Sequence, residues 1–105
     1  MKIKTQDLTG SVLDWAVAIC EPTQCNPDHY SPSTDWSQGG PIIEREGISA
    51  MQTDADSGDW EASIWLNPDK HMPLIQEGPT PLIAAMRCYV ASQLGDEVAV
   101  PDDVV

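Results

Sequence analysis

A chain of 105 residues with 17 acidic and 5 basic side chains carries a formal charge of −12 at pH 7. That mean field excludes non-specific attraction to nucleic-acid backbones and to anionic lipid, so neither direct nucleic-acid binding nor membrane attachment is expected. With 41% apolar residues and four tryptophans, the composition is that of a globular chain of one domain, residues 1–105.

In chain order, Lys2 to Lys4 reads as a short edge strand, and Thr5 or Asp7 as the cap of a helix running to about Cys20. Leu8, Val12, Leu13, Trp15, Ala16, Val17, Ile19 and Cys20 cover more of that helix than an ordinary amphipathic stripe, so two surfaces must bury it. Glu21-Pro22 ends the helix, and the stretch to Pro32, rich in proline, reads as loop. Gly39-Gly40 then precedes Pro41, which suits the first position of a short helix from Pro41 to Glu46, stopped at Gly47.

A hairpin follows, with Ile48 to Gln52 and Trp60 to Leu66 joined by a polar turn from Thr53 to Asp59. Trp60, Ala62, Ile64 and Leu66 alternate with Glu61, Ser63 and Trp65, the period of a half-buried strand. Asn67-Pro68-Asp69 turns the chain away. The final helix has Thr80 as cap, Pro81 in its first turn and Gly95 as terminator. It is apolar nearly all round, with Arg87 its one charge, which predicts cover on more than one side, in part from a second subunit. Asp96 to Val105 is an acidic extended tail that either frames an edge strand or stays mobile. Helix, strands and helix in this length predict an α+β domain, a small antiparallel sheet with both main helices on one side of it or sandwiching it.

The segment Tyr30–Glu46, YSPSTDWSQGGPIIERE, has no simple periodicity and gathers groups that a core does not need. Trp36 and Tyr30 offer aromatic faces for a planar ligand such as a nucleobase. Ser33, Thr34 and Asp35 offer polar side chains, and Gly39 and Gly40 free backbone N–H groups at a helix start, where an anion is favoured. Arg45 and Arg87, the only arginines, suit bidentate pairing with phosphate. Each has a structural alternative: loop anchoring for the aromatics, turn and cap bonds for the hydroxyls and Asp35, a tight turn for the glycines, and local salt bridges for the arginines.

Metal and catalytic patterns are weaker. Cys20, Cys25, Asp28 and His29 could supply four zinc ligands, but the C-x4-C-x3-H spacing lacks the usual close cysteine pair and Cys20 falls on an apolar helix face. Asp54, Asp56 and Asp59 superficially resemble a calcium loop with a displaced glycine and Trp65 in place of the bidentate Glu. His29 and His71 stand in no recognised catalytic motif. No cofactor, no metal and no enzymatic activity are expected. Three cysteines, odd in number and without CxxC, with an N-terminal MKIKTQDL that has no apolar signal region, predict reduced thiols in a cytoplasm.

LTGSVLDWAVAICE, YSPSTDWSQGGPIIERE and GPTPLIAAMRCYVASQLGDEV, in this order over nearly the whole chain, resemble the NinX-type family of small proteins from tailed phages and prophages of enteric bacteria. The spacing is also similar to the phage domain described as an alpha-beta-alpha sandwich. The resemblance implies a phage accessory protein of unknown activity in the host cytoplasm. The expectation that follows is a non-enzymatic binding protein, a homo-oligomer that sequesters a small anionic ligand such as a signalling nucleotide for counter-defence or host takeover. The alternative is an acidic, DNA-mimic-like inhibitor of a host nucleic-acid-binding enzyme.

Overall fold

A computed structural model describes residues 1–21, 30–54, 56, 58–64 and 73–102. Its elements are strand β1 (Lys2–Lys4), a turn of 3-10 helix (Thr5–Asp7), helix α1 (Gly10–Cys20), helix α2 (Trp36–Glu46), strands β2 (Ser49–Asp54), β3 (Asp59–Ile64) and β4 (Leu74–Gly78), helix α3 (Pro81–Leu94) and strand β5 (Glu97–Ala99). The fold is α+β with two antiparallel sheets, β1–β5 and β2–β3–β4.

Thr5 does not cap α1. Its buried hydroxyl donates to the Gly95 carbonyl at 2.6 Å and its N–H to the Asp96 carbonyl at 2.7 Å. This buried hydroxyl therefore ties the N-terminal segment to the end of α3, and α1 starts later, after Thr9. Thr5→Val keeps the shape and removes the donor, so chemical denaturation is expected to report a loss of about 1–2 kcal/mol. The tail forms a strand over part of its length: Lys2 pairs with Ala99, Ile3 with Val98 and Lys4 with Glu97.

In the larger sheet the expected alternation holds where it is described, with Ala62 and Ile64 buried and Trp60 packed against the core. Trp65, Leu66 and the turn at Asn67-Pro68-Asp69 lie outside the described residues. β4 was not expected, because its pattern is inverted. Register places Gln76 beside Ala62 on the inner face and Ile75 and Glu77 beside Ser63 and Glu61 on the outer one, so polar points in and Ile75 points out.

α3 is the centre of the molecule. Thr80 accepts the Ile83 N–H at 3.1 Å, Pro81 occupies the first turn, and Gly95 follows the last. Leu82, Ala84, Ala85, Met86, Cys88, Tyr89, Val90 and Ala91 are all buried, against β3 and β4 on one side and against α1 and α2 on the other. Elements of the same chain thus cover these residues on more than one side. The sheet comes close because Gly78 has no side chain: a Cβ there would stand 2.8 Å from the Ala84 nitrogen.

Burial sets the chemistry of the core thiol. Cys88 touches the Leu74 carbonyl through Sγ at 3.4 Å, and burial pushes its pKa up to about 12. Cys20 is pushed up to about 11 by burial and then by Glu21. Tyr89 is pushed up to about 12, burial again acting first. These groups favour the neutral form in the fold, so their stabilisation is complete below pH 9 and is lost as pH rises toward about 12. Melting temperature measured against pH should be flat with respect to these groups near pH 8 and fall across that window, with part of the fall removed by Cys88→Ala.

Candidate functional site

The segment from Tyr30 is held by its own backbone before it offers anything to a ligand. The Ser31 carbonyl accepts the N–H groups of Thr34 at 3.1 Å and Asp35 at 2.8 Å. The Gln38 side chain accepts the Ser31 N–H, and Asp14 of α1 accepts the Ser33 N–H at 2.9 Å. Tyr30 is half-buried against the core.

Asp35, offered as a ligand contact, is the cap of α2: one carboxylate oxygen accepts the Ser37 N–H at 2.9 Å and the Ser37 hydroxyl at 2.6 Å. The helix therefore starts at Trp36 and not at Pro41, which lies inside it. This corrects the role assigned to the glycine pair. Gly39 donates its N–H to the Asp35 carbonyl at 2.9 Å, and both glycines lie in the helix interior. The bare Cα of Gly39 is needed for packing, because a Cβ would collide with the Pro32 carbonyl and with Leu82 Cδ1 of α3. Gly47 closes the helix in the left-handed conformation at φ 67°, as a C-terminal glycine does.

Three of the candidate residues do meet. Ser33, Thr34 and Trp36 line a notch of about 200 Å³ against Thr80, Pro81, Leu82 and Ile83 at the start of α3. The Trp36 side chain is an exposed aromatic, at 56%. Ser33 Oγ is buried without a hydrogen-bond partner. The notch is smaller than the roughly 300–1,000 Å³ of pockets that enclose a drug-sized molecule. It has room for one side chain or one small group.

The two arginines are elsewhere. Arg45 grips Glu21 with both terminal nitrogens at 3.1 Å and Glu46 through Nε at 3.0 Å. Its guanidinium also donates to the Tyr89 hydroxyl at 3.2 Å and lies 5.7 Å from that ring's centroid. Tyr89 in turn donates to the Cys20 carbonyl at 3.1 Å. Glu21 and then Glu46 hold the guanidinium proton and raise the Arg45 pKa. This cluster joins the ends of α1 and α2 to α3. Neither Glu21 nor Tyr89 was foreseen, because their partner lies 24 and 44 residues away.

Arg87 reaches out of α3 to the Leu8 carbonyl at 2.7 Å and the Glu77 carbonyl at 2.8 Å. Burial lowers its pKa, against the pull of nearby Asp7. It forms one wall of a second hollow, of about 470 Å³, together with Asp7, Asp59, Gln76 and Glu77. Trp36, Arg45 and Arg87 thus do not line one cavity.

Among the described residues there is no cluster of His, Cys, Asp or Glu able to hold a metal ion. Of the residues weighed for zinc, Cys25, Asp28 and His29 lie outside the described set, as do His71 and Trp65. No helix among the described residues is long and apolar enough to cross a membrane.

No curated protein matches this chain. The family model described as "Bacteriophage P22, NinX" matches residues 23–93, a span that holds the Ser33–Trp36 notch, both arginines, the larger sheet and nearly all of α3. With more than half of its length matched, the chain belongs to the NinX family of bacteriophage proteins.

Proposed function

We propose that this NinX-family protein works without catalysis in the cytoplasm of the phage's host, by docking its acidic surface on a positively charged protein. The observation that carries the reading is the fate of the arginines. A phosphate-bearing ligand needs cations that are free to turn toward it, and Arg45 is spent on Glu21 and Glu46 while Arg87 is spent on two backbone carbonyls. Among the described residues that leaves Lys2 and Lys4 against an overall charge of −12, a field that repels nucleotides and attracts basic proteins. The notch beside Trp36 is also too small to enclose a nucleotide. A homo-oligomer is not required, since α3 is already covered within one chain. A host nucleic-acid-binding enzyme, whose binding surface is basic, is a partner of the right chemistry, and its inhibition would serve counter-defence or host takeover.

The test is capture of one basic protein from host extract and the dependence of that capture on salt. Loss at high salt and on neutralising exposed acids, with retention in Trp36→Ala, is the expected result. Capture indifferent to salt but abolished by Trp36→Ala would reverse the assignment in favour of a ligand in the notch.

A further inference from the structure

We infer that the groove between the open edge of β4 and the β1–β5 sheet receives a lysine- or arginine-bearing extended segment of a partner protein. This rests on the reading above and gives it a place on the surface. The groove has two lobes, of about 470 and 690 Å³, that share Gln6 and Gln76 as walls. Asp7, Asp59 and Glu77 stand around the first lobe and Asp96 and Glu97 around the second, against Arg87 and Lys4. Among the described residues Asp7, Glu77, Asp96 and Glu97 form no salt bridge. Arg87 and Lys4 offset only part of this charge, because the two hollows set five carboxylates against two cations.

Two further observations favour a donor-rich, extended occupant. The Gln76 side chain walls both lobes and its Oε1 is buried with no hydrogen-bond partner, and an unmatched acceptor calls for an N–H. β4 pairs only with β3 among the described strands. The Glu77 carbonyl points away from β3 and is taken by Arg87, so on that side of β4 the antiparallel pattern leaves the N–H and carbonyl of Ile75 for a partner. A peptide laid along this edge finds backbone partners there and carboxylates for alternate side chains. An anionic ligand would meet the same carboxylates as repulsion, and an apolar one would leave them desolvated.

The experiment uses fluorescence anisotropy of a short labelled peptide of alternating Ala and Arg, titrated with the full chain at low salt. Three matched proteins are compared: wild type, the groove triple Asp7→Asn, Glu77→Gln, Glu97→Gln, and a control triple Glu44→Gln, Asp56→Asn, Asp102→Asn of equal net charge. All six side chains are exposed, and melting curves confirm the fold of each. The groove triple is expected to weaken binding at least ten-fold and the control no more than about three-fold. Gln76→Leu, which changes no charge, is expected to weaken it about five-fold.

Equal loss in the two triples, or unchanged affinity in Gln76→Leu, would overturn the groove and leave the docking of basic proteins standing. No binding of the peptide by wild type would overturn both. Spermidine bound as tightly as the peptide, with the same dependence on the groove acids, would replace the protein segment by a free polyamine.

Discussion

Gly39→Ala is expected to destabilise the protein by about 2 kcal/mol, which in a domain of this size lowers the melting temperature by roughly 8–16 °C. Ordinarily alanine in a helix interior gains close to 1 kcal/mol over glycine. Here the added methyl meets the Pro32 carbonyl and stands 2.6 Å from Leu82 Cδ1, so either the Ser31–Asp35 turn or α3 must give way. Gly40 is the control within the same pair. A Cβ there has only Trp36 Cε3 near it, at 4.0 Å, and the gain in helix propensity is offset by crowding against the Pro41 ring. Gly40→Ala should change stability by less than about 0.5 kcal/mol. Differential scanning calorimetry of the two variants decides between a helix that starts at Trp36 and one that starts at Pro41. Similar small effects at both positions would contradict the packing of α2 on α3.

Arg45→Met is the second large effect. Glu21 is buried, with only 6% of its side chain exposed, while Arg45 is 45% exposed. Removing the cation leaves a carboxylate under the helices with its principal donors gone, at a cost of about 2–3 kcal/mol, less than for a fully enclosed pair because water reaches the Arg45 side. The double variant Glu21→Gln, Arg45→Met should recover at least 1 kcal/mol of that loss, since it no longer strands a charge. Urea denaturation of the cycle gives the coupling. A change below about 0.5 kcal/mol in Arg45→Met would mean that the guanidinium is not committed to the fold and is free for a ligand, which would reopen the nucleotide reading.

α3 was readable because its signals agree: Thr80, Pro81 and Gly95 mark its ends and an unbroken apolar run lies between them. β3 was readable from Trp60 through Ile64 because alternate residues face the core. β4 was hidden because Gln76 faces inward and Ile75 outward, a pattern that only the neighbouring strand explains. The start of α2 was misplaced by a competition between two valid rules. Asp35 with Gln38 three residues later has the form of a capping box, yet Gly40-Pro41 is the louder signal, and proline inside a helix is normally costly. At the candidate site, the gathering of Ser33, Thr34 and Trp36 followed from their closeness in sequence. The removal of Arg45 to Glu21 and Tyr89, and of Arg87 to Leu8 and Glu77, depends on contacts distant along the chain that no local pattern records.

The central claim is that this protein recognises positive charge and not a small anion, and calorimetric titration of the purified chain tests it most directly. Linear and cyclic nucleotides should give no binding heat, while the alternating Ala-Arg peptide should bind at low salt with an affinity that falls steeply as salt is raised. A nucleotide that binds at micromolar concentration and quenches tryptophan fluorescence, with the peptide inert, would contradict the account.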